Sequence, residues 1–236
     1  MSETATPSAD NVAMAIAAAY AAAGLKTEGT EVTISPLRLL IAAQPLVVNE
    51  VSCLTRHTAA TYLAARAGRD MVTSGDSTVS LAGFLYANTA GGWILVNQGD
   101  PLVRRRFTVA HELGHFLLHF MPLIEAGSAN RGDDNLEFDE ELAPPDDSTH
   151  AVAGVGRITI DYAAKPIDST DVERFEDEAN RFAAGVLMPE KTCRALTNRY
   201  TDLCGARREV LARRLASEFL VSQQAIRRRL ADLGLP

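Results

Sequence analysis

His111-Glu112-Leu113-Gly114-His115 combines residue types that can bind a metal ion and activate water for hydrolysis. It lies in the run from Arg106 to His119, whose apolar residues recur at helical rather than strand spacing. One turn apart on a helix, His111 and His115 share a face, so both imidazoles reach a single ion. Glu112 is displaced to the side where a water would be activated. That is the arrangement of a zinc hydrolase. The bland alternative is a buried helix whose histidines satisfy one another. It would have to place two His and a Glu at these offsets by chance in a chain that holds five His. A catalytic zinc takes three protein ligands and keeps a fourth position open, so a third ligand is expected elsewhere.

Downstream, Thr170-Asp171-Val172-Glu173 reads as a capping box opening a helix, and Phe175, Ala179, Phe182 and Ala183 form its apolar stripe. Glu176 and Asn180 stand one turn apart on the adjoining face. A carboxylate there completes a zinc site, and the Asn180 amide is placed to hydrogen-bond one of the ligands. Glu176 is the first choice, while on spacing alone Glu173, Asp177 and Glu178 stay open. His119 adds a third imidazole, but on a straight helix it lies about 12 Å along the axis from His111 and off the shared face. It reads as a structural histidine near the cleft rim. His150, Tyr162 and Tyr200 are candidates by residue type alone for stabilising a tetrahedral intermediate.

The blocks Arg106 to His115, Glu176 to Ala183 and Leu187-Met188-Pro189 resemble the ImmA/IrrE metallopeptidases. A weaker echo runs through Leu215 to Ser222, Ala225 and Arg229-Leu230. The resemblance implies that His111, His115 and Glu176 bind Zn2+ and that Glu112 activates water. It implies an α+β zincin-like fold, helical with a small antiparallel sheet beside the helix that carries the two His. It also implies an intracellular protease that cleaves a helix-turn-helix transcriptional repressor, releasing genes of mobile elements or stress responses. A reading from another class is a regulatory protein that binds a repressor or DNA without cutting, its metal site purely structural.

The supporting elements divide into a mainly helical region at 1–76, a metallopeptidase core at 77–190 and a helical tail at 191–236. In the first, the Ala-rich run Asn11 to Leu25 and the stretch Val47 to Asp70 both read as helices, with His57 structural or exposed. Thr78 to Ala87 and Trp93 to Asn97 read as a hairpin, and the resemblance makes the second strand a candidate cleft wall for extended substrate. An insert at about 121–168 is rich in acid, Pro and Gly, including Asp133 to Glu141 and Pro144 to Asp147. It reads as a mobile loop, either a solvated segment or a lid over the cleft. In the tail, helix signals run from Ala206 to Phe219 and, after the cap Ser222, to Leu233. Its arginines fit a packed helical cap better than a DNA-reading helix-turn-helix, because no second DNA-contact cue accompanies them.

A net charge of -7 offers no overall attraction to nucleic acid or anionic membranes. Three scattered cysteines, Cys53, Cys193 and Cys204, show neither a metal spacing nor an even disulfide framework and point to a reducing cytoplasm. Met1 to Asp10 is polar and acidic, so neither a secretory leader nor a membrane span is expected.

Overall fold

A computed structural model describes residues 8–26, 34–67, 78–88, 91–122, 136–141, 159–160, 169–205 and 207–236. The strands are β1 (Leu46–Val51), β2 (Leu81–Asn88), β3 (Gly91–Asn97), β4 (Leu136–Glu141) and β5 (Thr159–Ile160), in spatial order β1-β3-β2-β4-β5. The helices are α1 (Ser8–Ala22), α2 (Leu37–Ala42), α3 (Arg56–Ala67), α4 (Leu102–His115), α5 (Ser169–Leu187), α6 (Glu190–Cys204), α7 (Arg208–Phe219) and α8 (Gln223–Asp232). The fold is α+β, as expected of a zincin-like protein. The sheet is mixed rather than purely antiparallel, because β1 runs parallel to β3 while β2 pairs antiparallel with both β3 and β4.

Strands β2 and β3 read as nearly unbroken apolar runs because both of their faces are covered. Leu85, Ile94 and Val96 face the larger core, which includes Val109, Leu113, Phe116, Phe182 and Val186. Leu81, Phe84, Tyr86 and Leu95 face a second core built with Leu54, Ala59 and Leu63 from α3 and the turn before it. Helix α4 therefore lies on the sheet with α5 beside it.

The helix expected over Val47 to Asp70 divides in two. Val47, Val48 and Val51 are β-branched and pair along β3, from Leu46 opposite Gly92 to Val51 opposite Asn97. The helix starts only after Thr55, where a reciprocal cap forms. The Thr55 amide donates to Thr58 Oγ1 at 2.8 Å, and the Thr58 amide donates to Thr55 Oγ1 at 3.1 Å. The acidic stretch read as a loop also contributes structure, since Leu136–Glu141 pairs with β2 as β4. Backbone hydrogen bonding to an already buried strand supplied what its composition did not suggest. Most of the rest of that insert, and with it the lid, lies outside the described residues. Strand β3 is flanked by β1 and β2, so its backbone is already paired and it cannot offer the free edge that an extended substrate would need.

The Ala-rich run forms α1, and Val12, Ala19 and Tyr20 bury against the larger core. In the tail, Ser222 Oγ accepts from the Ala225 amide at 3.1 Å, capping α8 where the sequence marks it. Leu215, Phe219, Ile226 and Leu230 are fully buried. Arg227 pairs with Glu209 at 2.6 Å, and Arg229 Nε donates to the Met188 carbonyl at 3.0 Å.

Gly114 sets how closely the two site helices approach. A Cβ there would lie 3.1 Å from Phe182 Cβ and 3.2 Å from the Ala179 Cα, so only hydrogen fits between α4 and α5 without a shift. Gly114→Val should destabilise the protein by about 1–3 kcal/mol through overpacking. Urea unfolding checks this, and an unchanged midpoint would show that the interface yields freely.

Candidate metal centre

Helix α4 presents His111, Glu112 and His115 to the interior, where each is no more than 2% exposed. Helix α5 brings Glu176 across to them. Glu176 Oε2 lies 3.3 Å from His111 Nε2, and its Oε1 lies 3.3 Å from His115 Nε2. The two Nε2 atoms are 2.9 Å apart, and ligand atoms from all three residues lie within 4.8 Å of one another. Among the described residues these form a group able to hold a metal ion. The competing carboxylates separate, since Glu173 and Asp177 are exposed and Asp177 pairs with Arg181. Glu178 turns to a different partner.

The far side of each imidazole is engaged as well. His111 Nδ1 lies 3.1 Å from Asn180 Oδ1, an oxygen that can only accept, so the imidazole proton sits on Nδ1. The Nε2 lone pair is thereby aimed at the Glu176 carboxylate and at His115. His115 Nδ1 lies 3.1 Å from His119 Nδ1, and His119 Nε2 lies 3.0 Å from Glu178 Oε2. His119 is thus buried and joined to the site, not standing at a rim. It sits in the π-helical turn Phe116–Phe120 that continues α4, with its ring 4.2 Å from the Phe175 ring, centroid to centroid. Its four-residue spacing from His115 was the available signal. Residues four apart on a helix are neighbours, so that spacing allows a contact between the two rings even where His119 is too far from His111 to share its ion.

Burial pushes the His115 imidazole down to about 4, aided by its neighbour His111 and opposed by Glu176. Burial likewise pushes His119 down to about 2. At Glu176 burial acts to raise the carboxyl, but the adjoining His111 and His115 imidazoles outweigh it and hold the group well below the usual carboxylate range. At neutral pH the centre therefore combines neutral imidazoles at His115 and His119 with an ionised Glu176. A lone pair facing a carboxylate is repulsive until a cation lies between them, and deprotonated N and O donors are what a divalent ion requires. The donor set fits such an ion.

Glu112 packs under β2. A Cβ on Gly83 would come within 2.7 Å of Glu112 Oε1 and closer still to the Thr108 methyl carbon, so glycine leaves the space that the carboxylate and the threonine occupy. No spacing argument singled out Gly83, because the approach of β2 to α4 is purely tertiary. The other sequence candidates lie apart. His57 is exposed, Tyr200 bonds to Glu218 in the tail, and His150 and Tyr162 fall outside the described residues.

Gly83→Ala should displace Glu112 and Thr108 while leaving the two His and Glu176 in place. Metal uptake, followed by equilibrium dialysis, is expected to match the wild type, and thermal unfolding to occur at lower temperature. Loss of metal uptake would mean that the strain spreads into the ligands.

No curated protein matches the chain. Comparison with protein families matches residues 69–142 and 148–231 to the IrrE N-terminal-like domain, a peptidase family. That match takes in both site helices and most of the sheet, and on it the chain belongs to the IrrE N-terminal-like peptidase family.

Proposed function

We propose that the protein is a zinc-dependent metalloendopeptidase in which His111, His115 and Glu176 hold the ion and Glu112 is the general base. The observation that carries this reading is the convergence of ligand atoms of His111, His115 and Glu176 from two helices, with Asn180 Oδ1 against the far nitrogen of His111. Two nitrogens and one carboxylate oxygen suit zinc and leave it an open position. When bound, zinc supplies Lewis acidity that polarises a carbonyl and lowers the pKa of water to about 7.

Glu112 takes a proton from the attacking water as its oxygen bonds to the peptide carbonyl carbon. It returns that proton to the amine nitrogen as the C–N bond breaks. Burial at 1% exposure beneath β2 restricts the carboxylate to a narrow range of orientations, so little ordering is left for the moment of reaction.

The substrate we infer is a helix-turn-helix transcriptional repressor, whose cleavage relieves repression. Support for it is the family membership together with the sequence resemblance to ImmA/IrrE metallopeptidases. Cytoplasmic action fits the free cysteines, Cys53 exposed and Cys193 buried, and among the described residues no helix is long and apolar enough to cross a membrane. The tail arginines Arg227 and Arg229 are engaged with Glu209 and Met188, which supports a packed cap in preference to direct DNA contact.

The test is to incubate the purified protein with repressors encoded beside it, with and without a chelator. Cleavage should depend on zinc, and Glu112→Gln should keep full zinc occupancy while the rate falls about 10²- to 10⁴-fold. Glu176→Ala should lose the zinc. A protein that binds zinc and a repressor yet never cuts would replace this reading with that of a non-cleaving regulator.

A further inference from the structure

The His115–His119–Glu178 chain is not needed to bring three donors together. It is nevertheless built from buried polar groups, since His119 is 7% exposed and Glu178 9%. Burying an imidazole and a carboxylate carries a desolvation cost that an apolar pair of similar size would avoid. The chain runs between two helices, from His115 and His119 at the end of α4 to Glu178 on α5, and the ring of Phe175 lies against His119. Every link has donor and acceptor chemistry that can be followed atom by atom.

An ionised Glu178 can only accept, so the His119 proton sits on Nε2. His119 Nδ1 is then an acceptor and draws the His115 proton to Nδ1. His115 Nε2 is left as a bare lone pair, pointing at His111 Nε2 and Glu176 Oε1. Asn180 does the same for His111 in one step. We propose that His119 and Glu178 are positioning residues that hold His115 in the tautomer and orientation required of a metal ligand. The inference rests on the zinc reading above. The π-helical turn belongs to the same device, because it is where α4 carries His119 within hydrogen-bonding distance of both His115 and Glu178.

The experiment measures zinc dissociation constants by chelator competition on the full chain. The variants are His119→Phe, Glu178→Gln, His119→Asn and the double variant His119→Phe/Glu178→Gln. His119→Phe should bind zinc roughly 10- to 100-fold more weakly, as loss of a partner hydrogen-bonded to a ligand does. Glu178→Gln should weaken binding less, because the amide oxygen still accepts from His119. The double variant should bind no worse than His119→Phe alone, since Glu178 acts only through His119. His119→Asn, whose amide oxygen stands near the Nδ1 position, should recover part of the loss.

Wild-type affinity in His119→Phe, whatever its melting temperature, would overturn the proposal and leave His119 as packing. Additive losses in the double variant would overturn it as well. Should His119→Phe fail to fold, wild-type affinity in both Glu178→Gln and His119→Asn would do the same. A wild-type protein that takes up no zinc would instead end the zinc reading itself, and the relay with it.

Discussion

Two imidazole lone pairs and a carboxylate aimed at one buried point repel one another, and the structure is arranged around that repulsion. Nothing in α4 alone requires it. Asn180 and Glu176, one turn apart on α5, produce it together. Asn180 pulls the His111 proton outward, and Glu176 places negative charge where the freed lone pair points. The arrangement becomes favourable only with a cation between the donors, so the closeness of α4 and α5 is a condition of the chemistry as much as of the fold.

That closeness has a steric basis. Gly114 lets Phe182 and Ala179 come against the backbone of α4. Gly83 does the corresponding thing on the sheet side, leaving room beneath β2 for Glu112 and Thr108. The general-base candidate and the ligand candidates are therefore set by different neighbours, Glu112 by a strand and His111, His115 and Glu176 by a helix. Strain introduced at one glycine need not reach the other group, because each contacts different side chains.

The sheet shows how far pattern reading carries. The hairpin of β2 and β3 was legible because two apolar runs flank a Gly-rich turn. The cap Ser222 and the helix after it were legible for an equally local reason. Strand β1 was not. Val51, Leu54, Thr58, Tyr62 and Ala65 fit a helical stripe, while the pairing that makes Leu46–Val51 a strand lies 46 residues away on β3. The Thr55–Thr58 cap would have marked the true start of α3. Strand β4 was hidden by its acidic composition, which describes solvent exposure and says nothing of a backbone partner on β2.

By itself the sequence determined the pairing of His111, Glu112 and His115, because four residues along a helix place two side chains on one face whatever surrounds them. It also narrowed the third donor to a short stretch of α5, with Asn180 marked as a partner. Only the tertiary structure shows which carboxylate of α5 lies against the two imidazoles. Glu176 meets both imidazoles, Glu178 meets His119, and Glu173 and Asp177 face solvent. It likewise turned His119 from a bystander into a link and gave Gly83 a role. The physical reason is range. Spacing along one helix follows from covalent geometry and hydrogen bonding within it, whereas which atoms of a second helix meet the first depends on the rotation and separation of the two, set by packing that no local pattern records.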